Sequence, residues 1–143
     1  MSIDLRHCSE ITAAAERLYE AITTPEGIRS WWTTDVAMED HAGGKAVFGF
    51  ENHAVSFEMR IVELVAPSLV RWRCDAGTSK EWIGTTQEFG LEPQPGGKVI
   101  LKFSHRGWKP DSQYAYSCNT TWGHLFVLLK NYAERGEEKP YFA

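Results

Sequence analysis

Residues 112–135 hold the feature that most restricts what this chain can become. Tyr114, Cys118, Trp122, Leu125, Leu128, Leu129 and Tyr132 recur every three or four positions, which draws one broad apolar stripe along a helix. The spacing predicts that helix from Ser112 to Arg135, roughly 36 Å long at 1.5 Å per residue. Asp111 is its expected N-cap, and Gly136 its expected left-handed end. A helix of this length must lay its stripe on an apolar surface of matching size, and only a sheet can supply one.

The preceding residues read as that sheet. Ile3, Leu5 and His7 alternate with Asp4, Arg6 and Cys8 as a first strand. Thr12 is the expected cap of a helix through Ile22, and Thr24-Pro25 opens a second, short helix ending at Trp31-Trp32. Strands follow at Val36–Glu39, Lys45–Phe50 and from Val55 onward, where Val55, Phe57, Met59 and Ile61 share one face. Further strands are expected at Leu69–Cys74, Glu81–Glu92 and Lys98–His105. Arg71 and Arg73, with Glu58 and Arg60, fall on the opposite, solvated face. Short loops between successive strands imply an antiparallel meander. The expected class is α+β: a curved antiparallel sheet around a long C-terminal helix, with two short helices after the first strand. The 143 residues suit one domain, 1–143.

Composition excludes several functions. The formal net charge is −4, which argues against a nucleic-acid partner, since phosphate binding needs a basic face. No run of residues approaches a membrane span, and the first residues lack the apolar core of a signal peptide. The three cysteines, Cys8, Cys74 and Cys118, form no close pair and read as reduced thiols. A cytoplasmic location is expected. The five histidines show no metal-ligand spacing, and phosphate loops and a nucleophile elbow are missing, so no metal or cofactor is expected.

Several segments together resemble a known family. These are Ala21 to Trp32, Trp82 to Thr86, Phe89 to Pro93 with Gly96-Gly97, Phe103 to Trp108, and Trp122 with Leu128 to Tyr132, followed by Gly136 and Pro140. The combination is similar to the SRPBCC superfamily, the helix-grip fold of the START and birch-pollen-allergen proteins. It is nearest the branch named after the C-terminal domain of the Hsp90 ATPase activator. Gln87 departs from that pattern, which usually has an aliphatic residue there. The resemblance implies a cavity between the sheet and the terminal helix. The partners it implies are a small apolar molecule, a chaperone, or a second copy of the chain in a homodimer.

The chemistry within such a cavity is read from the last hairpin. A turn centred near Pro95 would pair Leu91 with Val99, Phe89 with Leu101, Gln87 with Phe103 and Thr85 with His105. Thr85, Gln87 and His105 then share the concave face with apolar residues, and polar groups there need partners. They either bond to one another and pin the loop before the helix, or anchor a ligand. The expected walls are Phe57, Met59, Trp72, Phe103, Cys118, Trp122 and Leu125, with Trp31, Trp32, Trp108 and Tyr114 near the mouth. The leading expectation is binding of a small, mostly apolar ligand. The alternatives are a co-chaperone or protein-interaction role, and a cyclase- or dehydratase-like enzyme using His105 as acid and base. No catalytic residue is assigned.

Overall fold

The computed structural model describes residues 1–143. Seven strands form one antiparallel sheet: β1 (Ile3–Ile11), β2 (Asp35–Met38), β3 (Lys45–Phe50), β4 (Val55–Val65), β5 (Leu69–Gly77), β6 (Thr86–Gln94) and β7 (Lys98–Trp108). Their spatial order is β1-β7-β6-β5-β4-β3-β2. Helices α1 (Ala15–Thr23) and α2 (Pro25–Trp31) follow β1, and α3 (Gln113–Arg135) closes the chain against the sheet. This is the α+β architecture expected from the alternation of strands and the terminal stripe, in the helix-grip arrangement that the resemblance implied.

The pleat explains which side chains are inside. Phe57, Met59 and Ile61 of β4, Val70, Trp72 and Cys74 of β5, and Phe89 and Leu91 of β6 are buried at every second position. Register shifts lie between Glu58 and Met59 and between Ile61 and Glu63 of the β4–β5 pair. Such bulges bend strands, and here they help the sheet curl toward α3. On the outer face Arg71 donates to both Glu63 and Glu88, and Asp75 accepts from Arg60 and Arg73. These charged residues face outward, as the alternation predicts.

Several boundaries differ from the sequence reading. The last hairpin is displaced by two residues: Gln87 faces His105, Phe89 faces Phe103, Leu91 faces Leu101, and Gln94 faces Lys98. The cause is the turn, whose centre is Gly96 rather than Pro95. Gly96 and Gly97 adopt φ of +83° and +73°, which closes the chain one residue later than expected. A slip of two leaves every side chain on its expected face.

Strand β6 starts at Thr86, not Glu81, because residues 80–84 turn inward and bury Trp82. Strand β1 runs on to Ile11, so Thr12 does not cap α1. Its N–H instead donates to Glu134 of α3 at 2.7 Å. Ser112, rather than Asp111, caps α3 by accepting from the Ala115 N–H at 3.1 Å. Pro25 opens α2 as expected, with Thr24 capping it through the Gly27 N–H at 3.0 Å, and Gly136 ends α3 in the left-handed conformation, also as expected.

Candidate functional site

The segment after α3 decides the shape of the site. It does not trail into solvent but returns along α2. The Lys139 N–H donates to the Ser30 carbonyl (3.0 Å), the Phe142 N–H to the Trp32 carbonyl (2.9 Å), and the Thr34 N–H to the Phe142 carbonyl (3.1 Å). Phe142 is thereby set edge-on to Phe50, with ring centroids 4.7 Å apart.

Between this tail, β3, β4 and the first half of α3 lies a cavity of about 290 Å³. The sheet contributes Phe50, Val55 and Phe57, and the end of α2 contributes Trp32. Trp82 comes from the inward turn before β6 and stacks on Phe57 at 3.9 Å, nearly parallel. Helix α3 supplies Tyr114, Ser117, Cys118, Thr121, Trp122 and Leu125, and the tail supplies Tyr141 and Phe142. Rings thus dominate the wall, as in pockets that take flat apolar molecules.

One carboxylate, Glu51, stands in the lining. Glu51, Asn52 and His53 form the β3–β4 turn with φ of 54°, 57° and 65°, three successive left-handed residues without a glycine. That conformation costs free energy for ordinary side chains, and such strain gathers at ligand-binding rims. His53 Nδ1 meets Asp35 Oδ2 at 2.5 Å and ties the turn to β2.

The thiol and the phenol in the wall are held neutral. Burial pushes the Cys118 thiol up to about 11 and the Tyr114 phenol up to about 12. The Trp82 indole N–H donates to Cys118 Sγ at 3.3 Å. A thiol so placed is a small polarisable wall element rather than a nucleophile.

Thr85, Gln87 and His105 are brought together, as expected, but they do not line the cavity. Gln87 and His105 form a cross-strand pair, and Thr85 lies just before β6. His105 is 0% exposed, and Trp82 and Trp122, both in the cavity wall, pack against its ring. The Trp122 indole N–H donates to His105 Nδ1 at 3.1 Å. An indole nitrogen can only donate, so Nδ1 is an acceptor, the ring is neutral, and Nε2 carries the proton. The Thr85 hydroxyl donates to the Trp82 carbonyl at 2.6 Å and so accepts from His105 Nε2–H at 2.8 Å. The Gln87 amide lies 2.7 Å from the same Nε2, and its Oε1 has no partner. With Nε2 protonated, the arrangement that satisfies both groups turns the amide oxygen toward the ring. Burial drives the imidazole pKa down to about 3.

Both ring nitrogens of His105 are therefore engaged within the fold, where they join β6, β7 and α3. Gly107, at φ +91°, breaks the alternation after His105, and Trp108 turns inward to pack on it at 4.6 Å.

Of the residues singled out from the sequence, Trp32, Phe57, Tyr114, Cys118, Trp122 and Leu125 line the cavity. Met59, Trp72 and Trp108 lie in the surrounding core, and Trp31 is sealed beneath α1, its indole N–H on the Ala21 carbonyl at 2.9 Å. Phe103 faces a different depression, of about 240 Å³, between β1 and the far side of α3. The sequence reading passed over Phe50, Val55, Trp82, Tyr141 and Phe142. The Phe48/Phe50 alternation in β3 was a usable signal for Phe50.

No helix is long and apolar enough to cross a membrane. Comparison with known proteins adds the following. Residues 12–134 match the family described as Activator of Hsp90 ATPase homolog 1-like protein. No curated protein matches the sequence. Among solved structures, the solution structure of the Aha1 dimer from Colwellia psychrerythraea is 26% identical, with 94% of this chain and 98% of that one covered at a TM-score of 0.85. Protein SSP2350 from Staphylococcus saprophyticus is 16% identical, with 96% of each chain covered and a TM-score of 0.78. CalU16 from Micromonospora echinospora is 18% identical, with 97% of this chain and 77% of that one covered and a TM-score of 0.74. The last two likenesses concern the fold alone.

Proposed function

This chain belongs to the family of Activator of Hsp90 ATPase homolog 1-like proteins, and on that footing we propose that it is a binding module for a small, mostly apolar, ring-containing molecule. The observation that carries the reading is the cavity of about 290 Å³ walled by Trp32, Phe50, Phe57, Trp82, Trp122 and Phe142. Its volume is at the lower end of small-molecule sites. The wall offers a ligand stacking surfaces throughout and polar contacts at Glu51, Ser117 and Thr121. His105 serves this site indirectly, by fixing Trp122 and Trp82 in the wall. Its bonds leave no nitrogen free for proton transfer, which weighs against the cyclase or dehydratase reading.

Thr121→Trp tests the proposal, since Thr121 is a half-buried wall residue on α3 whose enlargement fills the space. Binding of the apolar probe 1-N-phenylnaphthylamine should weaken at least tenfold while the melting temperature stays within a few degrees. Unchanged affinity in a folded Thr121→Trp protein would overturn the cavity as the binding site.

Protein interaction is the second reading. It is favoured by the family match and by likeness to a structure described as a dimer. A chaperone or a second copy of the chain is the partner under this reading. Stimulation of Hsp90 ATPase activity by the purified chain is the direct assay for the former.

A further inference from the structure

We infer that the outer face of α3 is a self-association surface, through which two copies of this chain pair about a two-fold axis with their α3 helices antiparallel. The inference rests on the protein-interaction reading and deepens it, by naming the partner and the surface.

The first observation is charge. Residues 112–129 contain no Asp, Glu, Lys or Arg, in a chain where 24% of residues are charged. A solvent-facing helix ordinarily carries charges on its outer face, often in i,i+4 pairs. This chain follows that rule elsewhere: α1 carries Glu16, Arg17 and Glu20, and α3 itself resumes with the pair Lys130–Glu134. The uncharged outer stripe is Tyr116, Thr120, Gly123 and Val127. Tyr116 is 62% exposed and Val127 59% exposed. Loss of charge with retention of aromatic and aliphatic side chains is the compositional mark of an interface centre.

The second observation is Gly123. A glycine inside a helix destabilises it relative to alanine. Nothing within this chain asks for it: a Cβ at that position would meet only His7 Cε1, at an ordinary 3.8 Å. A helical glycine with room for a side chain on an exposed face is accounted for by close approach of a backbone from outside.

The third observation is symmetry, which identifies the occupant. The stripe is its own reverse: 116 and 127 lie equally far from its midpoint, as do 120 and 123. Antiparallel pairing of two copies therefore sets each Tyr116 beside the other copy's Val127 at the two ends. At the centre each Thr120 meets the other copy's Gly123, where the backbones come closest. An isologous contact requires such self-complementarity. The depression of about 240 Å³ beside β1 opens against Gly123 and Val127 and offers the incoming tyrosine ring a receptacle. Charge argues the same way. Two chains of net charge −4 repel one another over most of their surfaces, and a charge-free face is where they can meet. The charge-free segment 112–129 spans about 25 Å of helix, so the pair buries on the order of 1,000 Å² in total. That is near the lower bound for a specific interface, and it sets a weak dimer whose population depends on concentration.

Sedimentation velocity of the full chain between about 5 and 500 μM tests this. The wild-type chain should shift from monomer toward dimer across that range. Val127→Lys, which sets a charge against the other copy's Tyr116 at each end of the stripe, should weaken association at least tenfold. Gly123→Gln should do the same while leaving the melting temperature unchanged or higher, which separates an interface effect from a folding defect. A chain that stays monomeric at 500 μM overturns both the surface and self-association. A dimer that survives both folded variants overturns the surface and leaves self-association standing.

Discussion

Acidification should weaken this fold through one ring, that of His105. Folded, its pKa is about 3; in the unfolded chain it returns to its ordinary value near 6.5. Between those two values the unfolded state binds a proton that the folded state refuses. Stability therefore falls as pH falls through this window, by about 1.4 kcal/mol per pH unit. Above pH 6.5 both states are neutral and the contribution is complete, and below pH 3 the loss levels off. From pH 8 to pH 5 the loss comes to about 2 kcal/mol, a large share of a typical 5–15 kcal/mol. Urea titrations at pH 8, 6 and 5 would measure it. His105→Gln is the control, because glutamine keeps an acceptor for the Trp122 N–H and a donor for Thr85 but does not titrate. His7, His41, His53 and His124 remain in both proteins, so their contributions cancel in the difference. The wild-type protein should lose about 2 kcal/mol more than the variant over this range. Parallel pH profiles would refute the neutral, fully bonded imidazole.

Three further outcomes follow from the same packing. Trp122→Ala removes a fully buried ring and the donor to His105 Nδ1, and should cost about 3–5 kcal/mol in a urea titration. Trp122→Phe keeps most of the ring but strands Nδ1, at about 1–3 kcal/mol. Thiol labelling at pH 8 should modify Cys8 rapidly in the native protein, since it alone is exposed, and Cys74 and Cys118 only on unfolding. Burial holds both of those thiols up at about 11.

The sheet and its long helix were legible because each carries a strong period, two in β4 and between three and four in α3. The faces of residues 86–92 and 98–105 in the last hairpin were legible for the same reason. Its register was not, because two left-handed glycines decide where a turn closes, and the residues around Pro95 allow either centre. Trp82 was misplaced because an aromatic residue among Ile83 and Thr85 fits a strand by propensity, whereas its indole is drawn inward by Phe57 and Cys118. The anchor trio was found as a cluster, but a sequence cannot show that two tryptophans stand between it and the cavity. Tyr141 and Phe142 had no periodicity to reveal them. Their placement depends on backbone bonds to residues 30–34, more than a hundred positions earlier.

That tail has a bearing on how such a site can change. The family match ends at residue 134, and Tyr141 and Phe142 lie beyond it. Most of the cavity wall is doubly committed: Phe57 and Trp122 belong to the core as well as the pocket, so altering them disturbs folding. The tail is under lighter obligation. Its attachment runs through main-chain groups that most residues can provide, and its Tyr141 side chain is exposed rather than part of the core. Rewriting positions 141 and 142 would reshape the rim while the scaffold beneath kept its sequence. Under the proposed binding function, recognition would thus be retuned at positions 141 and 142, without the fold being renegotiated.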